Sequence, residues 1–186
     1  MNLKTFANEN KRAFLRTILI LAMIVLAAVV RLAPHPWNFT PVGAIALFSG
    51  AMVRDRRVAF LFPLLVMFAT DLIIGFNKLS LLVYASFLLS VLIGRLLNQK
   101  RNLPRTAGAT LLGSIQFFLI TNFGVWAFLN TYPRTLAGLA ACYLAGIPLF
   151  WNTLAGDAFY ATLLFGSFAL AERLAPRLRQ SAVAGL

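Results

Sequence analysis

From Ala13 to Ala171 the chain is a succession of apolar runs, and its cations are crowded into the gaps between them. An α-helix needs about 20 apolar residues to cross the ~30 Å hydrocarbon core of a bilayer. Composition agrees with that pattern, because 60% of the residues are hydrophobic and only 12% charged, where a soluble domain carries about 25% charged residues. The expected fold class is all-α: one integral membrane bundle of six transmembrane helices, with a short second helix and a long outer fifth loop. Residues 1–12 read as a cytoplasmic tail, 13–175 as a single six-helix membrane domain and 176–186 as a second cytoplasmic tail.

The net charge of +12 would suit a nucleic-acid partner only if the cations formed a stripe. They sit instead in clusters between apolar runs (Arg54, Arg56 and Arg57; Arg95, Lys100, Arg101 and Arg105; Arg173, Arg177 and Arg179), as topology is written in membrane proteins, so nucleic acid is excluded and the lipid bilayer is the first partner. Cys142 and His35 are each the single residue of their type. One chain therefore builds neither a disulfide framework nor a Cys/His zinc site. The first apolar run lacks small-residue cleavage grammar and is followed directly by Arg31 and Pro34, so it is expected to stay as the first helix.

That first span runs from Ala13 to Val30. Pro34, Pro36 and Pro41 then forbid a regular helix over 32–41. The next run, Val42 to Val53, rises only about 18 Å as a helix, so the Pro-rich loop is expected to dip inward and make up the depth, where irregular backbone must be buried in protein or line a cavity. Further spans are expected over 58–76, 79–97, 107–129 and 153–171. The run 136–150 is apolar as well, and counting it would give seven spans. With six spans and both termini inside, every cation except Arg31, Lys78 and Arg134 is cytoplasmic, whereas a seventh would carry Arg173, Arg177 and Arg179 outside. Residues 130–152 are accordingly expected to form a long outer segment, partly helical.

This topology gathers the unusual polar residues at the outer face: Arg31, His35, Trp37, Asn38 and Thr40 in the first loop, Asp71, Asn77 and Ser80 around the second, and Tyr132, Trp151, Asn152 and Asp157 around the third, with Asn122 somewhat deeper. Such groups at membrane depth are costly and normally face an interior cavity. Together they predict an outward-open substrate pocket with aromatic walls. Each also has a plainer reading. Trp37 and Trp151 fit an interfacial aromatic belt, Asn152 fits an N-cap of the last helix, Asp71 fits an ion pair with Arg31 or Lys78, His35 fits a hydrogen bond within its loop, and Cys142 fits a small buried hydrophobe.

No phosphate-cradling glycine loop, nucleophile elbow or metalloprotease helix is present, so the chain does not read as an enzyme, and neither a resident cofactor nor a structural metal is called for. The segments P-H-P-W-N-F-T-P-V-G-A from Pro34, T-D-L-I-I-G from Thr70, T-N-F-G-V-W from Thr121, Y-P-R-T-L-A-G-L-A-A-C-Y from Tyr132 and N-T-L-A-G-D from Asn152 resemble a family of small, uncharacterised bacterial membrane proteins. The architecture is also similar to the S component, the substrate-binding membrane subunit, of energy-coupling-factor vitamin transporters. That resemblance implies vitamin uptake across the bacterial inner membrane, with an energy-coupling ATPase module as partner. The A-x-x-x-A docking pair of that class is absent, since Ala22 and Ala27 are five apart, which favours a stand-alone mode. Stand-alone members implicate cobalamin as the leading substrate, with Ser80 or His35 as the cobalt contact. The alternatives are a non-transporting scaffold or accessory subunit, and a proton-coupled small-molecule carrier using Asp71 and Asp157.

Overall fold

The computed structural model describes residues 3–34, 36–97 and 101–174, and for residues 3–13 the backbone alone. Among the described residues there are six helices and no strand: α1 Leu3–Val30, α2 Val42–Met52, α3 Arg56–Ile74, α4 Ser80–Arg95, α5 Leu103–Phe128 and α6 Leu136–Leu174. Six helices were expected, but only α3, α5 and α6 are long and apolar enough to cross a membrane; the apolar part of α1, Phe14–Val30, and both α2 and α4 are shorter. The 176–186 tail and His35 lie outside the described residues.

The helices expose large apolar side chains and bury a minority of polar ones. On α3, Leu61, Leu65, Phe68 and Leu72 form an exposed stripe, while Thr70 and Asp71 are buried. Spacing by three and four residues puts the four exposed residues on one helix face, and an apolar outer face is what a hydrocarbon solvent demands.

The short helix α2 is the centre of the bundle. All 11 of its residues are buried, and it packs against each of the other five helices. A helix that is apolar all round belongs in such a position. Its Phe48 meets Phe165 and Phe168 of α6 edge-on, with ring centroids 5.2 and 5.9 Å away. Against α4 it makes backbone contact: a Cβ on Gly50 would strike the carbonyl of Val91, and one on Gly94 the carbonyl of Leu47. Glycines at a helix interface permit that approach.

The Pro-rich loop descends into the bundle along α6, as its short successor requires. Asn152 Nδ2 donates to the Trp37 carbonyl at 3.0 Å. One turn further, a Cβ on Gly156 would sit 3.1 Å from Phe39 Cα, so that glycine admits the loop backbone, and the Phe39 ring then packs on Phe159 and Tyr160.

The fifth loop departs from expectation. It is confined to 129–135, and the residues assigned to a long outer segment are the first part of α6, a single helix of 39 residues rising about 58 Å. Two local interactions account for this. The Trp126 indole donates to the Pro133 carbonyl at 2.9 Å and closes a tight turn, and Thr135 Oγ1 accepts from the Gly138 N–H at 3.1 Å, capping the new helix three residues on. The Asn152-Thr153 pair that resembled a second helix start lies within α6, with Asn152 engaged by the first loop.

Pro63 lies inside α3 and offers no N–H to the carbonyl of Ala59 four residues earlier. Ser49 of α2 supplies the missing donor, its Oγ lying 2.7 Å from that buried oxygen. Ser49→Ala is therefore expected to cost about 1–3 kcal/mol, the penalty for an unmade buried bond. In a Pro63→Ala background, where α3 satisfies Ala59 itself, the same change should cost much less. Thermal unfolding of the four proteins of that cycle in detergent checks both values.

Candidate functional site

Because α2 begins inside the bundle, the free N–H groups of its first turn cannot turn to water. Its N-cap residue, Pro41, has no side-chain cap to offer. Asp157 of α6 takes that role. The carboxylate lies against the Ala44 N–H in the first turn of α2, and its Oδ2 accepts from the Ser114 hydroxyl of α5 at 2.7 Å. Gly43 is required at this contact, since a Cβ there would collide with the carboxylate. At the other end Arg95 donates to the Val53 carbonyl at 2.6 Å and to the Arg54 carbonyl at 3.3 Å. A carboxyl acceptor at the N-terminus and a cation at the C-terminus both suit the polarity of the helix.

A second charged pair lies nearer the first loop. Arg31 Nη2 donates to Asp71 Oδ1 at 2.7 Å, and the two side chains are only 12% and 6% exposed. Tyr84 Oη donates to the other carboxylate oxygen at 2.7 Å. The cluster ties the end of α1 to α3 and α4.

Between these two clusters lies a cavity of about 170 Å³. Arg31, Asn38 and Thr40 border it from the loop side, and Asp157, Thr153 and Ser90 supply polar groups deeper in. Val83, Phe87 and Phe117 form an apolar wall, with the rings of Phe87 and Phe117 stacked 5.0 Å apart. Behind that wall Gln116 Nε2 donates to Ser90 Oγ and to the Ser86 carbonyl, each at 3.0 Å.

Of the residues predicted from sequence, Arg31, Asn38, Thr40 and Asp157 meet around this cavity, and Asp71 stands directly behind Arg31. Asp157 is level with the first turn of α2, about 16 Å from the C-terminal end of that helix, and thus deep in the bundle. Asn77 and Ser80 do not line this cavity. They form a turn between α3 and α4, in which Ser80 Oγ accepts from the Asn77 N–H at 2.9 Å and Asn77 Oδ1 from the Leu79 N–H at 2.8 Å. Asn122 donates within α5 to the Phe118 carbonyl at 2.9 Å and faces Gly146 of α6. Tyr132 belongs to the 129–135 turn and does not line the cavity. Trp37 and Trp151 are exposed, at 83% and 61%, as an interfacial belt would have them, and Asn152 holds the loop without lining the cavity. Asp71 pairs with Arg31 and not with Lys78. Cys142 is buried, its thiol directed at the Asn122 carbonyl.

Sequence reasoning missed Ser90, Ser114, Thr153, Tyr84 and the two glycines at 43 and 113. The serines and threonines were hidden because each also bonds a carbonyl of its own helix, as Ser114 does with Thr110 and Thr153 with Leu149, a habit that makes such residues unremarkable in membrane helices. The A-G-D string at 155–157 was the available signal, since a glycine one position before a buried acid marks a close helix approach. Among the described residues no cluster of three His, Cys, Asp or Glu side chains could hold a metal ion.

A family model described as a family of unknown function, DUF6580, matches residues 11–178. No curated protein and no solved structure matches the chain.

The Arg31–Asp71 pair makes a direct test of the geometry. Arg31→Leu should destabilise the protein by about 3–5 kcal/mol, because it strands a buried carboxylate. Adding Asp71→Leu should recover most of that loss. Thermal melting of the single and double variants measures it.

Proposed function

The chain belongs to the DUF6580 family, and for it we propose a role in solute uptake: a six-pass protein of the bacterial inner membrane, both termini cytoplasmic, that binds a small vitamin-class molecule from the outer side. The observation that carries this reading is the cavity beneath the first loop, where a guanidinium and a carboxylate border an apolar, aromatic-walled space. A few directed polar groups on a mostly apolar lining are the usual anatomy of a small-molecule site. The position supports it as well. The cavity lies at the N-terminal end of a half-length buried helix, and membrane transporters build their sites at such interrupted helices.

The unbroken α6 leaves six helices between the termini, which accords with the charge bias that puts every cation but Arg31, Lys78 and Arg134 on one side. The volume of about 170 Å³ is below the ~300–1,000 Å³ of drug-sized pockets. It favours a compact ligand over a corrinoid, and Ser80, engaged in its own turn, is a weak candidate for a cobalt contact. A stand-alone mode remains the preferred one, since α1 lacks the A-x-x-x-A pair.

A scaffold role is the second reading, favoured by the fact that Arg31, Asp71, Arg95 and Asp157 all have internal partners. Two lining positions separate the readings. Asn38 borders the cavity from an exposed loop, and a Cβ on Gly113 would enter it at ordinary contact distance, 3.5 Å from Leu47 Cδ1. Asn38 has a φ of 62°, where glycine but not alanine is free of strain, so Asn38→Gly and Gly113→Ala are expected to lower uptake of labelled water-soluble vitamins about ten-fold, the effect of one lost polar contact or of a modest steric intrusion, with melting temperature unchanged. Uptake that is absent in the parent, or unaltered in both variants, favours the scaffold.

A further inference from the structure

A second and larger cavity, of about 600 Å³, lies at the opposite end of the bundle, between the first half of α5 and the second half of α6. The two helices are in close contact near their connecting turn, where Tyr143 Oη reaches the Leu119 carbonyl at 2.8 Å and Phe118 packs on Phe150. Further down they are held apart by a trough lined by Ala107, Leu111, Thr162, Gly166 and Ala169. It is open on the bundle's outer side. Leu111, Thr162, Gly166 and Ala169 are all exposed, and beside Gly166 there is empty space where a Cβ would stand. From Leu154 to Arg173 the lining follows α6 for about 28 Å, longer than the ~15 Å hydrocarbon depth of one leaflet.

The chemistry changes along its length. The upper part is aliphatic and aromatic, whereas the end nearest the helix termini carries Arg101 and Arg173. Arg101 is held across the inner end of α2 by a contact from Nη1 to Met52 Sδ at 2.6 Å. Glu172, the one acid lining the trough, is paired with Arg16 at 3.0 Å. Among the described residues the only other ion pair is Arg31–Asp71, so neither Arg101 nor Arg173 has a carboxylate partner. In the proposed topology these arginines stand at the level of the cytoplasmic headgroups, where basic pockets between helices hold anionic lipid.

We infer that this trough is a binding site for one anionic phospholipid of the inner leaflet, its acyl chain lying between α5 and α6 and its phosphate on Arg101 and Arg173. A laterally open apolar space at membrane depth is filled by what surrounds it, which is acyl chain. Two cations without acidic partners at its mouth select the headgroup. The inference depends on the membrane orientation proposed above, but not on the solute cavity or its ligand.

Native mass spectrometry of the full chain in detergent, titrated with dioleoyl phosphatidylglycerol or dioleoyl phosphatidylcholine, tests it. The expected result is one saturable phosphatidylglycerol adduct at least ten-fold tighter than phosphatidylcholine. Arg101→Gln with Arg173→Gln should abolish that preference, and Gly166→Leu, which fills the open space, should weaken both lipids at least five-fold without lowering the melting temperature. Equal affinity for the two lipids would overturn the proposal, as would a preference that survives the double arginine variant or binding untouched by Gly166→Leu. Displacement of phosphatidylglycerol by millimolar inorganic phosphate would also overturn it, marking a free-anion site and not a lipid site.

Discussion

The N-terminus of α2 starts in the interior of the bundle, and the other helices are arranged to make that tolerable. A helix of 11 residues buried on every side leaves the N–H groups of its first turn with no access to water, and in a low-dielectric interior unpaired backbone groups are among the costliest features a fold can carry. Asp157 and Arg95 meet the two ends with groups that suit the polarity of the helix. Ser49, in the middle of α2, then satisfies the carbonyl that Pro63 leaves open on α3. One helix thus fixes the height and rotation of α3, α4 and α6 around it through hydrogen bonds, and the glycine contacts at 50 and 94 set how closely α4 approaches.

The same constraint creates the cavity. Bringing Asp157 onto the first turn of α2 places a carboxylate deep in the bundle, and the loop that feeds α2 has to descend past α6 to reach that depth. Gly156 and Gly43 give the loop and the carboxylate their room. The space left between this junction and the Arg31–Asp71–Tyr84 cluster is bounded by opposite charges at its two ends and aromatic rings at its side, which is the basis of the uptake reading.

Much of the bundle was legible in the sequence because hydropathy is a property of single residues. The apolar runs marked all six helices, and the shortness of the run at 42–53 required an inward-dipping loop. What failed were judgements that depend on partners. Asn152 has the residue type of a helix cap, and only its bond to the Trp37 carbonyl shows why α6 continues through it. Asn77 and Ser80 are polar and near the outer face, yet they spend their hydrogen bonds on each other's turn. Asp157 was singled out for its charge alone, and its depth in the bundle follows from the start of α6 at Leu136, which Thr135 and Trp126 determine by contacts invisible in composition. Ser114 and Ser90 carried no signal of their own, because a serine that bonds its own helix and one that faces a site look alike in sequence.

The central claim is that the interior cavity communicates with the outer side of the membrane. Thr153 lines it and is only 8% exposed, so a cysteine there can be modified only through the cavity. In a Cys142→Ser background, a small membrane-impermeant methanethiosulfonate reagent added from the periplasmic side should label Thr153→Cys, and the same reagent confined to the cytoplasmic side should not. Labelling from the cytoplasmic side alone, or protection from both sides under conditions where an exposed loop cysteine at Trp37 reacts fully, would contradict the account.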